Sequence, residues 1–355
     1  MTPRQGLREP GTCLPGGCDT VSVVVPAGGA DRELERCLAA LSGLRPPPGE
    51  VLVVSDGPSE AVRRAAEERG FRALELAGRR GPAAARNAGA AAARGEILLF
   101  LDADVEVPAD LVGRVAARFR ERPDLAALFG SYDAEPAVPG MVSRFRNLLH
   151  HWVHQQGRRE ATTFWAGCGA IRREVFEEAG GFREAFRVPS VEDIELGHRL
   201  VEGGSRIELV KELQVTHLKR WTLGSMVRTD IFDRAVPWTR LMLARRRLDE
   251  DLNLRPGQRV SAVLAGALAA GLAAVPLEPV LWPWPVLCAL SLVGLNRRFY
   301  GFLARRGGVR LAAAGAVLHW LHFLCCLAGL GLGAAAHCAR RWRGSRAPAD
   351  EVAQT

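Results

Sequence analysis

Four groups of residues in this chain have the types and spacings that group transfer needs. The first lies in EILLFLDADVEVPADL (96–111), where an apolar run stops at Asp102 and Asp104, with Glu106 just behind. Two carboxylates one residue apart at a strand end can hold a hard divalent cation, Mg²⁺ or Mn²⁺. Such ions take oxygen ligands and are commonly shared between one or two carboxylates and substrate phosphates. The cation would neutralise a departing diphosphate. An Asp-x-Asp pair can also merely cap a turn, so its place in the fold has to decide. The second group is Glu192 and Asp193, which open a helix in VEDIELGHRL (191–200), with Glu195 and Arg199 one turn apart. A carboxylate at a helix N-terminus is expected to stay ionised in the helix dipole, as a general base must, although it could serve only as a cap. The third is FWAGCGAIRRE (164–174), where Gly167 and Gly169 suit either close backbone approach to a ligand or a tight strand turn. The fourth is HLKRW (217–221), with an imidazole at His217 that could complete a Mn²⁺ shell and Arg220 and Trp221 close behind.

The elements that position these groups alternate between strand and helix from 21 to about 130. VSVVVP (21–26) is a β-branched run of the kind buried on both faces of a sheet, ended by Pro26. A helical stripe follows at Leu34, Cys37, Leu38 and Leu41. EVLVVSDG (50–57) is the next strand. Ser59 is placed to cap the helix after it, and Gly70 to stop it. FRALEL, an Ala-rich helix from GPAAARNAGAAAARG, EILLFL and PADLVGRVAARF continue the alternation. Repeated strand–helix units predict an α/β fold, a doubly wound, mostly parallel sheet with right-handed crossovers. Ligands of such sheets bind outside the carboxyl ends of the strands. Asp56, Asp102 and Asp104 all sit at strand ends, so they should face one crevice.

VSVVVP, VLVVSDGPSE, GPAAARNAGAAAARGEILLFLDAD, FWAGCGAIRREVFEEAGGF and VEDIELGHRLVEGG occur in an order and spacing that resembles family 2 glycosyltransferases of the GT-A fold. The resemblance covers about 21–222. It implies a nucleotide-sugar donor, a UDP- or GDP-sugar, contacted by Pro26, Asp56 and Arg86 and by a cation on Asp102 and Asp104. It implies that Asp193 is the base of an inverting transfer, with Glu192 orienting the helix or the acceptor, and that Gly167 and Trp221 shape the acceptor site. HLKRW resembles the Gln-x-x-Arg-Trp motif of membrane-embedded members, with His217 in place of Gln. Arg220 would then neutralise the departing diphosphate. Two departures bear on the donor: Ser55 stands where the family often has an acid, and AGGA follows Pro26 where an aromatic residue and Asn are usual. Asp56 and Arg86 also have local readings, an Asx-turn with Gly57 and a salt bridge at a helix start.

The remainder is apolar and basic. The chain has 47 Lys and Arg against 39 Asp and Glu, with Lys211 and Lys219 the sole lysines. The arginines cluster beside apolar stretches, at 244–247, 296–298, 304–306 and 340–343. That placement favours a membrane surface over nucleic acid, so no nucleic-acid partner is expected. The division expected is a flexible leader (1–20), the GT-A domain (21–222), interfacial amphipathic helices (223–258), transmembrane segments near 260–277, 280–295 and 311–338 within 259–339, and a basic tail (340–355). Three crossings would put that tail opposite the catalytic domain, against the positive-inside rule, so one segment is re-entrant or the rule is broken. LHHWVH (149–154) offers His150, His151 and His154 without an accompanying acid, and a solvated or membrane-facing helix is the expectation. The eight cysteines lack zinc-site spacing and read as reduced. No apolar segment precedes residue 21, so no signal peptide is expected.

These features lead to a metal-dependent inverting glycosyltransferase in the inner (plasma) membrane, multi-pass, with its catalytic domain cytoplasmic and a lipid or lipid-linked acceptor. Two other classes fit the same acids: a nucleotidyltransferase of similar fold, and an inactive membrane scaffold. The first would be expected to carry a basic glycine-rich phosphate loop after its first strand, where PAGGADRE has no lysine.

Overall fold

The computed structural model describes residues 18–245 and 252–342. Most of the leader, the last two arginines of the 244–247 cluster and the tail beyond 342 lie outside the described residues. The order of elements is β1 (Cys18–Ala27), α1 (Arg32–Ser42), β2 (Pro48–Ser55), α2 (Glu60–Glu67), β3 (Arg72–Glu75), α3 (Pro82–Ala92), β4 (Ile97–Leu101), β5 (Val105–Glu106), α4 (Leu111–Glu121), β6 (Leu125–Tyr132) and α5 (Met141–Gln156). Then come β7 (Glu160–Ala161), β8 (Cys168–Arg172), α6 (Arg173–Glu178), α7 (Glu192–Glu202), β9 (Arg206–His217), α8 (Leu223–Arg228), α9 (Val236–Arg245), α10 (Pro256–Ala274), α11 (Pro283–Leu295) and α12 (Arg297–Trp342). A π-helical turn, Thr229–Ala235, joins α8 to α9.

The sheet order is β3-β2-β1-β4-β8-β6-β9-β5, with β7 also paired to β9. From β3 to β4 it is parallel, as the alternating sequence requires. Beyond β4 it is mixed: β8 runs antiparallel to β4 and β6, and β6 pairs parallel to β9. The continuous apolar runs become the middle strands, with Val23–Val25 and Leu98–Leu101 fully buried. Two apolar layers flank them, α1, α2 and α4 on one face and α3 and α5 on the other. Asp31 caps α1 and Ser59 caps α2, each accepting from a backbone N–H three residues on. β1 runs one residue past Pro26, which sits at its carboxyl end beside Val54.

One expectation is overturned by α5. Instead of lying in solvent or against lipid, its histidines pack on β6. His154 Nδ1 lies 3.1 Å from the Gly130 carbonyl and His151 Nδ1 2.8 Å from that of Tyr132. His150 packs tilted against Tyr132 at 4.3 Å and against His154 at 4.1 Å. The aromatic faces of neutral imidazoles suit this layer, and the carbonyls at the irregular β6–β9 pairing take up their nitrogens.

The C-terminal helices overlap the three expected apolar segments, with different bounds. Among the described residues, two helical stretches, Pro256–Ala274 and Arg297–Ala339, are long and apolar enough to cross a membrane, and Pro279–Leu295 is shorter. The expected 311–338 segment is part of the longer α12, interrupted by non-helical backbone at Gly307 and Gly308.

Candidate active site

Asp102 and Asp104 occupy the turn between β4 and β5. The Asp102 N–H donates to the Gly167 carbonyl (3.2 Å) and the Leu218 N–H to the Asp104 carbonyl (2.8 Å), so segments 164–174 and 217–221 both close on the acids. Antiparallel pairing of Val105 with His217 sets the imidazole beside Asp104, with Nε2 3.6 Å from Oδ2. His217 stacks flat on Tyr132, 4.1 Å between centroids at 11°. Against the cost of burial, His217 and Lys219 hold the Asp104 carboxyl below its usual range. Burial pushes the Asp102 carboxyl up; Arg86 opposes the shift and Asp104 adds to it.

Arg86, on the first turns of α3, is the buried hub of the site. One nitrogen donates to Asp102 Oδ1 (2.7 Å) and another to Glu192 Oε1 (2.8 Å), with side chains of Arg86 and Glu192 only 6% and 4% exposed. Its guanidinium also lies 5.5 Å from the Phe182 ring. The salt-bridge reading of Arg86 therefore describes its present contacts, and they join the acid pair to the start of α7. The neighbouring Asn87 fixes the same region: its amide donates to the Phe182 carbonyl (2.8 Å) and accepts from the Phe182 N–H (2.9 Å).

Asp193 is half-buried at the start of α7. Oδ2 accepts from the Ala166 N–H (3.2 Å) and Oδ1 from the Ile194 N–H (2.8 Å). The expectation that the helix dipole keeps this carboxylate ionised across the ordinary range is corrected here. Burial, reinforced by Glu192, raises its pKa to about 7, and Arg86 and the two N–H groups only partly oppose the shift. A group titrating there is well poised to take a proton near neutrality.

The other candidates are placed as follows. Asp56 does not turn back on Gly57; its Oδ1 accepts from the Arg80 and Gly81 N–H groups (2.7 and 2.9 Å) and fixes the entry to α3. Gly81 has φ +92° and packs on the Arg187 backbone so closely that a Cβ would collide with it, so that entry requires glycine. Pro26 and Asp56 lie at the carboxyl ends of adjacent strands, on the edge where Asp102 lies. A Cβ on Gly167 would meet the Trp165 indole at 2.5 Å, so this glycine makes room for a protein ring. Arg220 is exposed. Trp221 is buried with Arg146 and Lys219 over its ring at 5.0 and 4.7 Å, and its backbone N–H donates to Ser143 Oγ (2.9 Å).

Sequence reasoning missed Tyr132, Arg146 and Asp230. Asp230 is buried on the π-helical turn, 2.9 Å from Arg146 and 2.8 Å from His322. An Arg and an Asp 84 residues apart leave no local pattern. The aromatic content around Tyr132 was visible, but not its register with His217.

The donor chemistry fits a divalent cation. Asp102 and Asp104 keep about 30% of their side chains exposed (31% and 29%), and the Arg86 hydrogen bond to Asp102 goes to Oδ1. Asp104 Oδ2 and His217 Nε2, 3.6 Å apart, would both offer ligands to an ion held there with Asp102. Among the described residues no three acidic, His or Cys side chains already converge as a closed metal site. Such an ion would be bound with donor oxygens completing its shell, as for Mg²⁺ in many phosphate sites.

A parallel sheet carrying paired acids at a strand end, followed by a mixed half with a carboxylate at a helix start, has the layout of a GT-A-type fold. The crystal structure of residues 1–349 of S. aureus TarS in complex with UDP-GlcNAc has this fold, with a TM-score of 0.50, 17% identity, and coverage of 85% of this chain and 89% of that one. Residues 22–180 match the family model described as glycosyl transferase family 2, and the domain they build belongs to that family. A Mycobacterium tuberculosis pre-mycofactocin glycosyltransferase is 31% identical over 217 residues, 57% of this chain and 44% of its own length. The Myxococcus xanthus O-antigen biosynthesis protein RfbC is 34% identical over 154 residues, 38% of this chain and 12% of its own. The chain thus spans less than half the length of these curated relatives.

Proposed function

We propose that this chain transfers a sugar, with inversion, from a UDP- or GDP-sugar to a lipid or lipid-linked acceptor at the cytoplasmic face of the plasma membrane. The observation that carries the reading is the Arg86 bridge. It holds Asp102, where the diphosphate would lie, and Glu192, next to the candidate base, in one buried cluster.

In this reading Asp102 and Asp104, with His217 at the edge, hold a Mg²⁺ or Mn²⁺ ion, which when bound offsets the charge of the donor diphosphate. Asp56 and Pro26 border the nucleotide. Asp193 takes the proton from the acceptor hydroxyl as its oxygen attacks the anomeric carbon and the nucleoside diphosphate leaves from the opposite face. Glu192 stays fixed by Arg86 and by the Ser190 N–H (2.9 Å), which holds the start of α7 in place. The exposed Arg220 reaches for the departing phosphates, and Trp221 walls the acceptor side. Residues 21–222 form the catalytic domain, 223–258 its interfacial helices and 259–339 the membrane part. The support for a membrane is the pair of long apolar helices and the arginines beside them.

The test is transfer itself. Detergent-solubilised chain is incubated with Mn²⁺, labelled UDP- and GDP-sugars and a membrane lipid extract. Label moving to the organic phase, and lost in Asp193→Asn, is expected. Label that never leaves the aqueous phase with any donor would remove the lipid acceptor from the reading.

A further inference from the structure

The apolar C-terminal helices pack in a way that says more than anchoring. Gly307 (φ −160°) and Gly308 (φ +73°) divide α12. Before the break, Phe299, Phe302 and Leu303 are buried against α5, with Phe299 and Phe302 rings 5.8 and 5.3 Å from Trp152. After the break the helix stays with the domain. It runs alongside the π-helical turn and α9 in the same direction: His322 meets Asp230 (2.8 Å), Gly329 lies on Ala235 and Gly333 on Thr239. A Cβ at Gly333 would stand 2.8 Å from Thr239 Cβ, and one at Gly329 would collide with Ala235, so these glycines permit a close helix contact.

The helix that α12 follows is polar and fastened at both ends. α8 begins directly after buried Trp221, and at the far end Arg245 pairs with Glu202 (2.8 Å) and Glu195 (3.4 Å) of α7. In between it carries Arg228, Asp230, Asp233, Arg234 and Arg240. Asp230 and Arg240 are buried in the protein while Arg228 is exposed, and a segment with this many charges is costly to place in hydrocarbon. A crossing by the helix laid along it from 322 to 333 is disfavoured accordingly.

α10 and α11 differ. They pair as a hairpin, and α11, at 13 residues, is ~20 Å long, short of a ~30 Å hydrocarbon core. Their outer faces expose Val263 (67%), Leu287 (63%), Leu290 (65%), Trp282 (61%) and Trp284 (55%). The exposed Arg297, Arg298, Arg305 and Arg310 follow at once. Apolar side chains with Trp suit the lipid interface, and arginines beside them suit anionic head groups.

We propose that the C-terminal region is a platform seated on an anionic bilayer. The α10–α11 hairpin dips into the lipid, α12 beyond Gly308 lies along the interface, and the end of α12 stays on the catalytic domain's side. This rests on the membrane reading above. It resolves the conflict that three crossings create, because Arg340 and Arg341 at the end of α12 then share the side of the catalytic domain, as the positive-inside rule favours.

The test uses the full chain in inverted and right-side-out membrane vesicles. A membrane-impermeant maleimide is added, and modification of Cys338, exposed near the end of α12, is read by peptide mass with Cys338→Ser as control. Trypsin cleavage at the exposed Arg79 and Arg80 reports the catalytic domain's side. Cys338 is expected to react only where trypsin reaches those arginines. Reaction only in the opposite orientation, or in neither, overturns the platform. Flotation of the chain with phosphatidylglycerol vesicles separates the two readings. A chain that does not float overturns the membrane reading itself, whereas a floating chain with Cys338 on the wrong side overturns only the platform. Arg297→Gln, Arg298→Gln, Arg305→Gln and Arg310→Gln together should weaken that partition by at least ~10-fold, given ~1 kcal/mol per surface arginine. Unchanged partition would remove the anionic surface from the proposal.

Discussion

Two buried polar clusters stand behind the candidate acid pair, and they handle charge in opposite ways. In the cluster of Arg86, Asp102, Glu192 and Asp193, acids face the Arg86 guanidinium and backbone N–H groups, and burial lifts Asp193 to titrate at about 7. In the group of His217, Tyr132, His150 and His154, aromatic rings pack on one another, flat between His217 and Tyr132 and tilted elsewhere, and burial favours the neutral imidazoles of His150 and His154. A donor diphosphate and a nucleophilic hydroxyl need charge; a wall that merely holds His217 in place does not. The difference suggests that the first cluster serves chemistry and the second serves position, and mutations should separate them.

The largest effects belong to the charged cluster. Arg86→Ala strands Glu192 and Asp102 without their cation, and removing one partner of a buried pair costs about 3–5 kcal/mol. The chemical-denaturation midpoint should fall accordingly, with less recovery in Arg86→Lys, whose single ammonium cannot span both acids. A variant as stable as the parent would mean the bridge is not as drawn. Asp193→Asn should lower kcat by about 10²–10⁴-fold with the fold intact by circular dichroism, the range expected for a general base. For the parent, kcat/KM should rise with pH up to about 7, where Asp193 titrates, and a profile flat from pH 5 to 8 would remove it as the base.

The clusters should also oppose each other in stability against pH. Burial lowers the His154 pKa to about 4, so the unfolded chain binds more protons between that value and ~6.5. Stability from this residue is therefore present above ~6.5 and lost as pH falls toward 4, by about 3 kcal/mol in all. Asp193 has the reverse sign. Its folded pKa lies above the ordinary ~3.9, so it subtracts stability as pH rises from there to about 7. His154→Phe should flatten the acid limb of the unfolding curve and Asp193→Asn the limb toward neutrality. Identical curves for both variants would erase the distinction.

The smallest effect expected is at the wall between the clusters. Gly167→Ala must displace the Trp165 indole, which also borders Tyr132 and His150, at about 1–3 kcal/mol. It should raise KM for the acceptor more than it lowers kcat, measured at saturating donor.

The first cluster was largely legible in the sequence because its members sit at ends of elements that the sequence marks clearly. Asp102 and Asp104 follow an unbroken apolar run, and Asp193 opens an amphipathic helix. Their joining through Arg86 was not legible, since a salt bridge between α3 and α7 depends on how helices pack across a sheet. The second cluster was misread. His150, His151 and His154 carry no acid and look polar, yet β6 lies over them, its carbonyls accept from His151 and His154, and His150 packs among aromatic rings. Local pattern registers polarity, whereas burial is set by what packs on top. The same limit applies at α12, where hydropathy marked a crossing helix and the sequence held no sign that Gly329 and Gly333 fit it against a charged partner.

The most direct measurement of the central claim is thermal unfolding of the detergent-solubilised chain with UDP or GDP, with and without Mn²⁺. A ligand that binds only the folded state raises its apparent stability by mass action. The account predicts a rise in Tm with one nucleotide that requires Mn²⁺ and disappears in a folded Asp102→Ala, Asp104→Ala protein. No rise with either nucleotide in well-folded protein, or a rise that survives the double substitution, would contradict it.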